Sequence, residues 1–274
     1  MITAMPRIAI AVNDYHAAVA TFQDVLGMPF LDMSAETVTS LGAHVGMCQP
    51  PGGSNIELMA PADPDRALSQ ALQRFLDSRG EGFYALMLEA PDPDAEAEEL
   101  LARDVEVLPL MEGAGGRDIH PRSTHGVLIR VYPDNSVPNR EGAVSAAPGL
   151  SGVTRGIIAT SDAVKAADAY GRGLGLEVDD PIEDRGRGVL VVVCHPAKGG
   201  VIELVSAIDT SIPFAREINQ FVEEKGGGIY ALVLEVDDPM AAASVLAERG
   251  VEVGGHSGLE ASVFGARILL NPRS

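Results

Sequence analysis

Cysteine is scarce in this 274-residue chain: Cys48 and Cys194 are its two thiols, and they stand 146 residues apart. That spacing suits neither a disulfide framework nor a CxxC metal site. Basic residues are also few, 20 Lys and Arg against 39 Asp and Glu, for a formal net charge of −19. A field of that sign repels phosphate backbones and anionic lipid, so neither nucleic acid nor a membrane surface is an expected partner. No run approaches the roughly 18 apolar residues that a membrane-spanning helix needs. The opening stretch MITAMPRIAIAVND has neither a basic leader nor a long apolar segment, so a cytoplasmic protein is expected. There is no G-x-S-x-G elbow. The glycine runs at 113–116 and 226–228 lack the lysine and the strand–loop–helix setting of a phosphate loop.

What is present is a chain with 46% apolar residues, enough for a sizeable core, and one that repeats itself. Residues 82–93, GFYALMLEAPDP, return at 228–239 as GIYALVLEVDDP, identical at eight of twelve positions. The same offset of 146 lays Ile56-Glu57-Leu58 over Ile202-Glu203-Leu204, and Cys48 over Cys194. Near the start, Arg7 to Ala11 and Asp14 match Arg155 to Ala159 and Asp162 at an offset of 148. The chain reads as a tandem duplication with domains at 1–135 and 150–274 and a linker at 136–149. Around that linker, the stretch 133–150 holds three prolines and small polar residues in place of apolar periodicity.

Each half divides again. A strand at 7–12 leads through Asn13-Asp14, an N-cap signal, into a helix that Gly27 is placed to stop. Strands are expected near 28–33, 37–48 and 55–60. From 82 the pattern recurs as strand, PDPD turn, helix 94–103, strand VEVLPL (105–110) and strand GVLIRVY. Third and fourth copies follow at 151–206 and 228–271, and helices near 63–78 and 210–225 join the modules within each half. The expected fold is α+β, with four βαβββ modules.

These modules, with their IAVND…LG openings and the motifs NIELMAP, HPRSTHGVLI and HPAKGGVIEL, resemble the vicinal oxygen chelate superfamily. Its members include glyoxalase I, methylmalonyl-CoA epimerase, extradiol dioxygenases and bleomycin-resistance proteins. The resemblance implies two incomplete β-barrels, one per half, each around a cavity. It also implies a divalent metal held by a first-strand His and a fourth-strand Glu or Gln from the paired modules. Residue by residue the ligands do not carry over. The His positions fall on Arg7, Ala85, Arg155 and Ala231, and the acid positions on Glu57, Arg130, Glu203 and Leu269. One carboxylate per half cannot hold a divalent metal in such a barrel, so neither metal nor other cofactor is expected.

If the inward faces are kept, Arg7, Glu57 and Arg130 converge in the first cavity. A carboxylate between two guanidinium groups is favoured in its charged form, and two Arg forks suit a substrate carboxylate, phosphate or enolate. In the functional reading the arginines stabilise an enolate-like intermediate while Glu57 moves a proton. In the structural reading the three residues are a salt-bridged plug filling the space the metal left. Arg155 and Glu203 offer a smaller version in the second half, where a structural ion pair is the favoured reading, so if one half alone is active it is expected to be the first; His44 is a further candidate to line the first cavity. An isomerase or lyase acting on a small carboxylated or carbonyl compound fits the first reading. A sequestering module of the bleomycin-resistance type, taking a cationic ligand, is the alternative. The expected partner is a small molecule, and a homodimer is compatible with either reading.

Other side chains have plainer expectations. His120 and His125 flank a Pro-containing turn, and stabilising that turn is the expected role for such histidines, as for His195 in its own HP turn. His125 should face away from the cavity if Arg130 faces in. His16 should be exposed, and His256, in a Gly-rich turn, has no assignable role. Cys48 and Cys194 read as equivalent buried side chains, with no electropositive partner to activate a thiolate. Tyr84 and Tyr230 each precede a lost ligand position and should therefore point away from the cavity and pack under a helix.

Overall fold

The computed structural model of the protein describes residues 1–34, 41–137, 142–255 and 259–273. The first domain runs β1 (Ala4–Ala11), α1 (Tyr15–Ala20), β2 (Phe30–Asp32), β3 (Ala43–Cys48), β4 (Asn55–Pro61), α2 (Ala67–Arg79), β5 (Gly82–Ala90), α3 (Pro93–Ala102), β6 (Arg117–Ile119) and β7 (Ile129–Pro133). The second repeats the theme as β8 (Val153–Ala159), α4 (Ala163–Asp168), β9 (Glu177–Val178), β10 (Ile182–Asp184), β11 (Val189–His195) and β12 (Val201–Ala207). It closes with α5 (Pro213–Lys225), β13 (Gly228–Val236), α6 (Pro239–Glu248), β14 (Glu252–Gly254), β15 (Glu260–Val263) and β16 (Ala266–Pro272). This is the expected α+β fold with two repeated domains. Among the described residues no helix is long and apolar enough to cross a membrane.

Each domain builds one open sheet, in the order β2-β3-β4-β1-β5-β7-β6 and β10-β11-β12-β8-β13-β16-β15-β14, with β9 added beside β11. The central pairs are β1 with β5 and β8 with β13, both antiparallel, so modules pair within each half. One expected strand is reduced. VEVLPL makes only an isolated bridge from Val107 to Ile119, whereas its counterpart in the second domain is β14. The first part of the expected strand at 37–48 lies outside the described residues, and β3 is the rest of it.

The period of two along β1 explains how the sheet is covered. Ile8 and Ile10 face α1 and α3, while Ala9 and Ala11 face α2, whose Leu68, Leu72 and Leu76 recur every fourth residue. Gly80, at φ +77°, stops α2, and Gly226, at φ +76°, stops α5. The faces carrying α1, α3, α4 and α6 are turned toward each other, so one continuous apolar core joins the two domains. Each such side chain, fully buried like Phe22 or Leu246, contributes about 2 kcal/mol. Backbone bonds cross the seam at Ser54 with Val153 and at Met5 with Lys198. The α2 face of the first sheet and the α5 face of the second point away from that seam and carry the candidate site residues.

Candidate active site

On the α2 face of the first domain, the parallel register sets Arg7 beside Asn55 and Ala9 beside Glu57, which lets Arg7 reach diagonally to Glu57. Arg7 Nε donates to Glu57 Oε2 at 2.9 Å, and both residues are only 4% exposed. Arg7 Nη1 donates to Ser136 Oγ at 2.8 Å, and Ser136 N and Oγ each donate to Glu89 Oε1 at 2.7 Å. Tyr132 lies flat under the guanidinium, 4.4 Å away. Burial would lower the Arg7 pKa, but Glu57 and Tyr132 more than offset it and hold the group above its usual value.

Arg130 does not join this pair. It turns to Asp118, directly opposite on β6, with Nε donating to Oδ1 at 2.6 Å and Nη2 donating to Oδ2. The expected convergence of Arg7, Glu57 and Arg130 is thus split into two ion pairs, with Tyr132 between them. A cross-strand pair with a carboxylate opposite outcompetes a longer reach to Glu57. The sequence signal for Asp118 was the alternation in RDI set against GVLIRVY, which becomes readable only once the β6–β7 register is known.

The second domain holds the geometry expected of the first. Glu203, its side chain 1% exposed, accepts from Arg155 Nη1 on Oε2 at 2.6 Å and from Arg187 Nη1 on Oε1 at 2.7 Å. Arg187 Nε also donates to Asp184 Oδ2 at 2.6 Å, and the guanidinium lies 5.4 Å from the Phe214 ring of α5. Hydrogen bonds from Arg187 hold the Asp184 carboxyl below the usual range. For Arg187, burial lowers the pKa, but Glu203 and Asp184 outweigh that and the net shift is upward. Sequence reasoning missed Arg187. It sits in the turn RGRG (185–188), where Gly188 takes φ +71°, and only that turn's place beside the module's third strand marks it.

The two grooves differ in access. The Arg155 side chain is 40% exposed and that of Arg187 33%, against 5% for Arg7. The registers Met87–Arg130 and Val233–Leu269 show why. Leu269 takes the place of Arg130, and exposed Asn271 takes the place of the Tyr132 ring that covers Arg7.

Tyr84 and Tyr230 pack under α2 and α5 as expected, but on the groove face and not on the opposite one. The β1–β5 register steps from Ala9–Ala85 to Ile10–Phe83, and β8–β13 steps from Ile157–Ala231 to Ile158–Ile229, so each Tyr sits in a bulge. The bulge turns both rings to the helix face, 5.3 Å from Phe75 and 5.4 Å from Phe221. Burial raises the Tyr84 hydroxyl to about 12 and pushes Tyr230 up as well. Tyr230 Oη donates to Glu217 Oε2 at 2.7 Å, an oxygen that also accepts from Arg267 Nη1 at 2.7 Å.

His44 does not line the first groove. Ala43 and Val45 take the α2 face, so His44 takes the other and stacks on Tyr15 at 5.2 Å. His120 Nδ1 accepts from Arg122 N at 3.0 Å and caps the short turn, in keeping with the expected role. His125 faces the second domain, with Nδ1 3.1 Å from Thr160 Oγ1. His195 contacts Asp179 at 2.9 Å, His16 is exposed, and His256 lies outside the described residues. Cys48 and Cys194 are buried at equivalent strand ends, and burial pushes both thiols up, Cys194 to about 12.

The profile of the Glyoxalase/Bleomycin resistance protein/Dioxygenase superfamily matches residues 7–120 and again 157–262. The chain belongs to that superfamily. No curated relative matches the sequence. Among solved structures, a variant of 4-hydroxymandelate synthase from Streptomyces coelicolor shares the fold, with TM-score 0.63 at 16% identity over 93% of this chain and 78% of that one. Methylmalonyl-CoA epimerase from Mycobacterium tuberculosis is 30% identical over 50% of this chain and 90% of that one, with TM-score 0.41. A Streptomyces coelicolor epimerase variant bound to 2-nitronate-propionyl-CoA is 26% identical over 48% and 96%, with TM-score 0.40.

The superfamily's divalent metal can be tested against the donors present. Guanidinium, alanine and leucine side chains have no lone pair to give, and they occupy six of the eight ligand positions. The remaining two, Glu57 and Glu203, are committed to arginines. Among the described residues no three His, Cys, Asp or Glu are grouped so as to hold a metal ion. The donor set does not fit that metal.

Proposed function

We propose that the protein is a superfamily enzyme acting without the usual metal on a small carboxylated or carbonyl compound, by isomerase or lyase chemistry through an enolate. The second domain's groove is its working site. The carrying observation is Glu203, buried and clamped between two half-exposed guanidinium groups. Among the described residues the Arg155 guanidinium makes one hydrogen bond, so its other donors are left for a carboxylate or a developing enolate oxygen. Glu203 acts as a positioning residue, since both its oxygens are engaged. Arg7, Glu57 and Arg130 then hold the first groove closed, which is the plug reading of that cluster.

The test is a turnover screen of small 2-oxo acids and acyl thioesters in chelator-treated buffer, repeated with Arg155→Ala. Loss of about 100-fold or more in kcat/KM, with the fold confirmed, is expected. Full turnover by the variant would end the reading. One observation favours a sequestering module instead: both carboxylates at the old ligand positions are tied up, leaving neither free as a base. Tight binding of a cationic ligand with no turnover, unchanged by Arg155→Ala, would decide for that module.

A further inference from the structure

Beside Tyr84 and Tyr230, a pocket of about 350 Å³ lies where the two domains meet, lined by the ends of α2 and α5 and the starts of β5 and β13. Ten of its sixteen lining residues form pairs 146 residues apart, including Phe75 with Phe221 and Arg79 with Lys225. Its walls close tightly because glycines let backbones meet. A Cβ on Gly126 would fall 2.6 Å from the Gly227 carbonyl oxygen, and one on Gly265 would fall 2.0 Å from that of Glu81. The floor is apolar, with Val127 and Ile229 buried, and the rim is cationic. Arg79 Nη2 donates to the Lys225 backbone carbonyl at 3.3 Å, so the two exposed cationic residues are neighbours in the lining. Glu81, the one acid in the lining, is already engaged by the Asn13 backbone N–H through Oε1 at 2.7 Å.

We propose that this inter-domain pocket is a second ligand site, taking a flat aromatic or fused-ring monocarboxylate. The ring lies between the Phe75 and Phe221 walls and the carboxylate meets Arg79 and Lys225 at the rim. The volume is within the range of small-molecule sites, and the pattern of an apolar body with a few charged groups at one end is that of an amphipathic anion site. The chain's net charge of −19 makes two cations at one apolar opening a local reversal of sign, which selects an anion at this place.

Calorimetric titration with 2-naphthoate and with its neutral isostere 2-naphthamide tests this on the full chain. The expected result is one naphthoate per pocket, bound about tenfold or more tighter than the amide. The double variant Arg79→Gln/Lys225→Gln, altering exposed side chains only, should remove that preference, while Arg155→Gln should leave it intact. No naphthoate binding, equal binding of the amide, or an affinity lost in Arg155→Gln and kept in the double variant would each overturn the site. The last outcome would instead place the anion in the second domain's groove, so the two proposals fail separately.

Discussion

Glu57 and Glu203 occupy the same position of the repeat and are both nearly inaccessible, yet their partners are not equivalent. Arg7 is buried with Glu57, whereas Arg155 and Arg187 keep a third or more of their side chains in water. Neutralising Glu57 strands a desolvated cation, which costs about 3 kcal/mol. Neutralising Glu203 strands Arg155, which water can still reach, and leaves Arg187 paired with Asp184, so about 1–2 kcal/mol is expected. Urea unfolding of Glu57→Gln and Glu203→Gln should therefore show the larger midpoint drop for Glu57→Gln. Equal drops would mean the two pockets are equally sealed. At this scale the sequence placed Arg7, Glu57, Arg155 and Glu203 correctly on one face, because strand alternation and the repeat carry that information. It could not place Asp118 or Arg187, whose roles depend on a cross-strand register and on the path of a turn. Nor could it place His44, since one residue of phase in β3 decides which face a side chain takes.

The elements were the most legible part of the chain. In all four modules the helix after the first strand is capped by an aspartate, Asp14, Asp92, Asp162 or Asp238, each accepting from backbone N–H groups one turn in. A carboxylate there satisfies donors that the helix itself leaves open. Asp162→Ala should cost about 1 kcal/mol, read from the thermal or urea midpoint, with Asp162→Asn recovering most of it. What escaped sequence reading at this scale was irregularity. The bulges at Tyr84 and Tyr230 insert one residue into otherwise clean alternation, and that insertion reverses the face taken by both rings. A strict period of two cannot announce its own interruption. The strand expected at 105–110 is reduced to an isolated bridge at Val107, which its apolar content does not reveal.

For the molecule as a whole, the continuous core means that each domain is the other's cover. The seam tolerates no added atom at Gly152, where a Cβ would fall 1.7 Å from the Gly52 carbonyl oxygen. Gly152→Ala should destabilise the full chain by about 3 kcal/mol, measured by urea unfolding, because backbone must move to admit it. His125 gives the seam a pH dependence. Burial lowers its pKa below 6.5 while Asp162 and Lys165 exert smaller opposing effects, so the folded chain favours the neutral ring. Its contribution is fully present above the unfolded value and is lost as pH falls through the folded one. An NMR titration of His125 should show a midpoint below 6.5, and His125→Gln should flatten stability against pH in that window. A midpoint above 6.5 would reverse the sign. The tandem arrangement and the fold class were readable from the repeat alone. The pairing of modules within halves was not, because the repeat looks the same whichever copies pair.

Ser136 belongs to the stretch that leaves the first domain for the second, and it is also the residue that caps Arg7 and holds Glu89. Tethering the domains and closing the first groove are therefore one covalent arrangement. A few flexible residues inserted between Pro133 and Ser136 would leave both domains joined but release that cap. Arg7 would then keep Glu57 and the Tyr132 ring but lose its hydroxyl partner, so the length of a connecting segment decides whether one donor of the first groove is already taken.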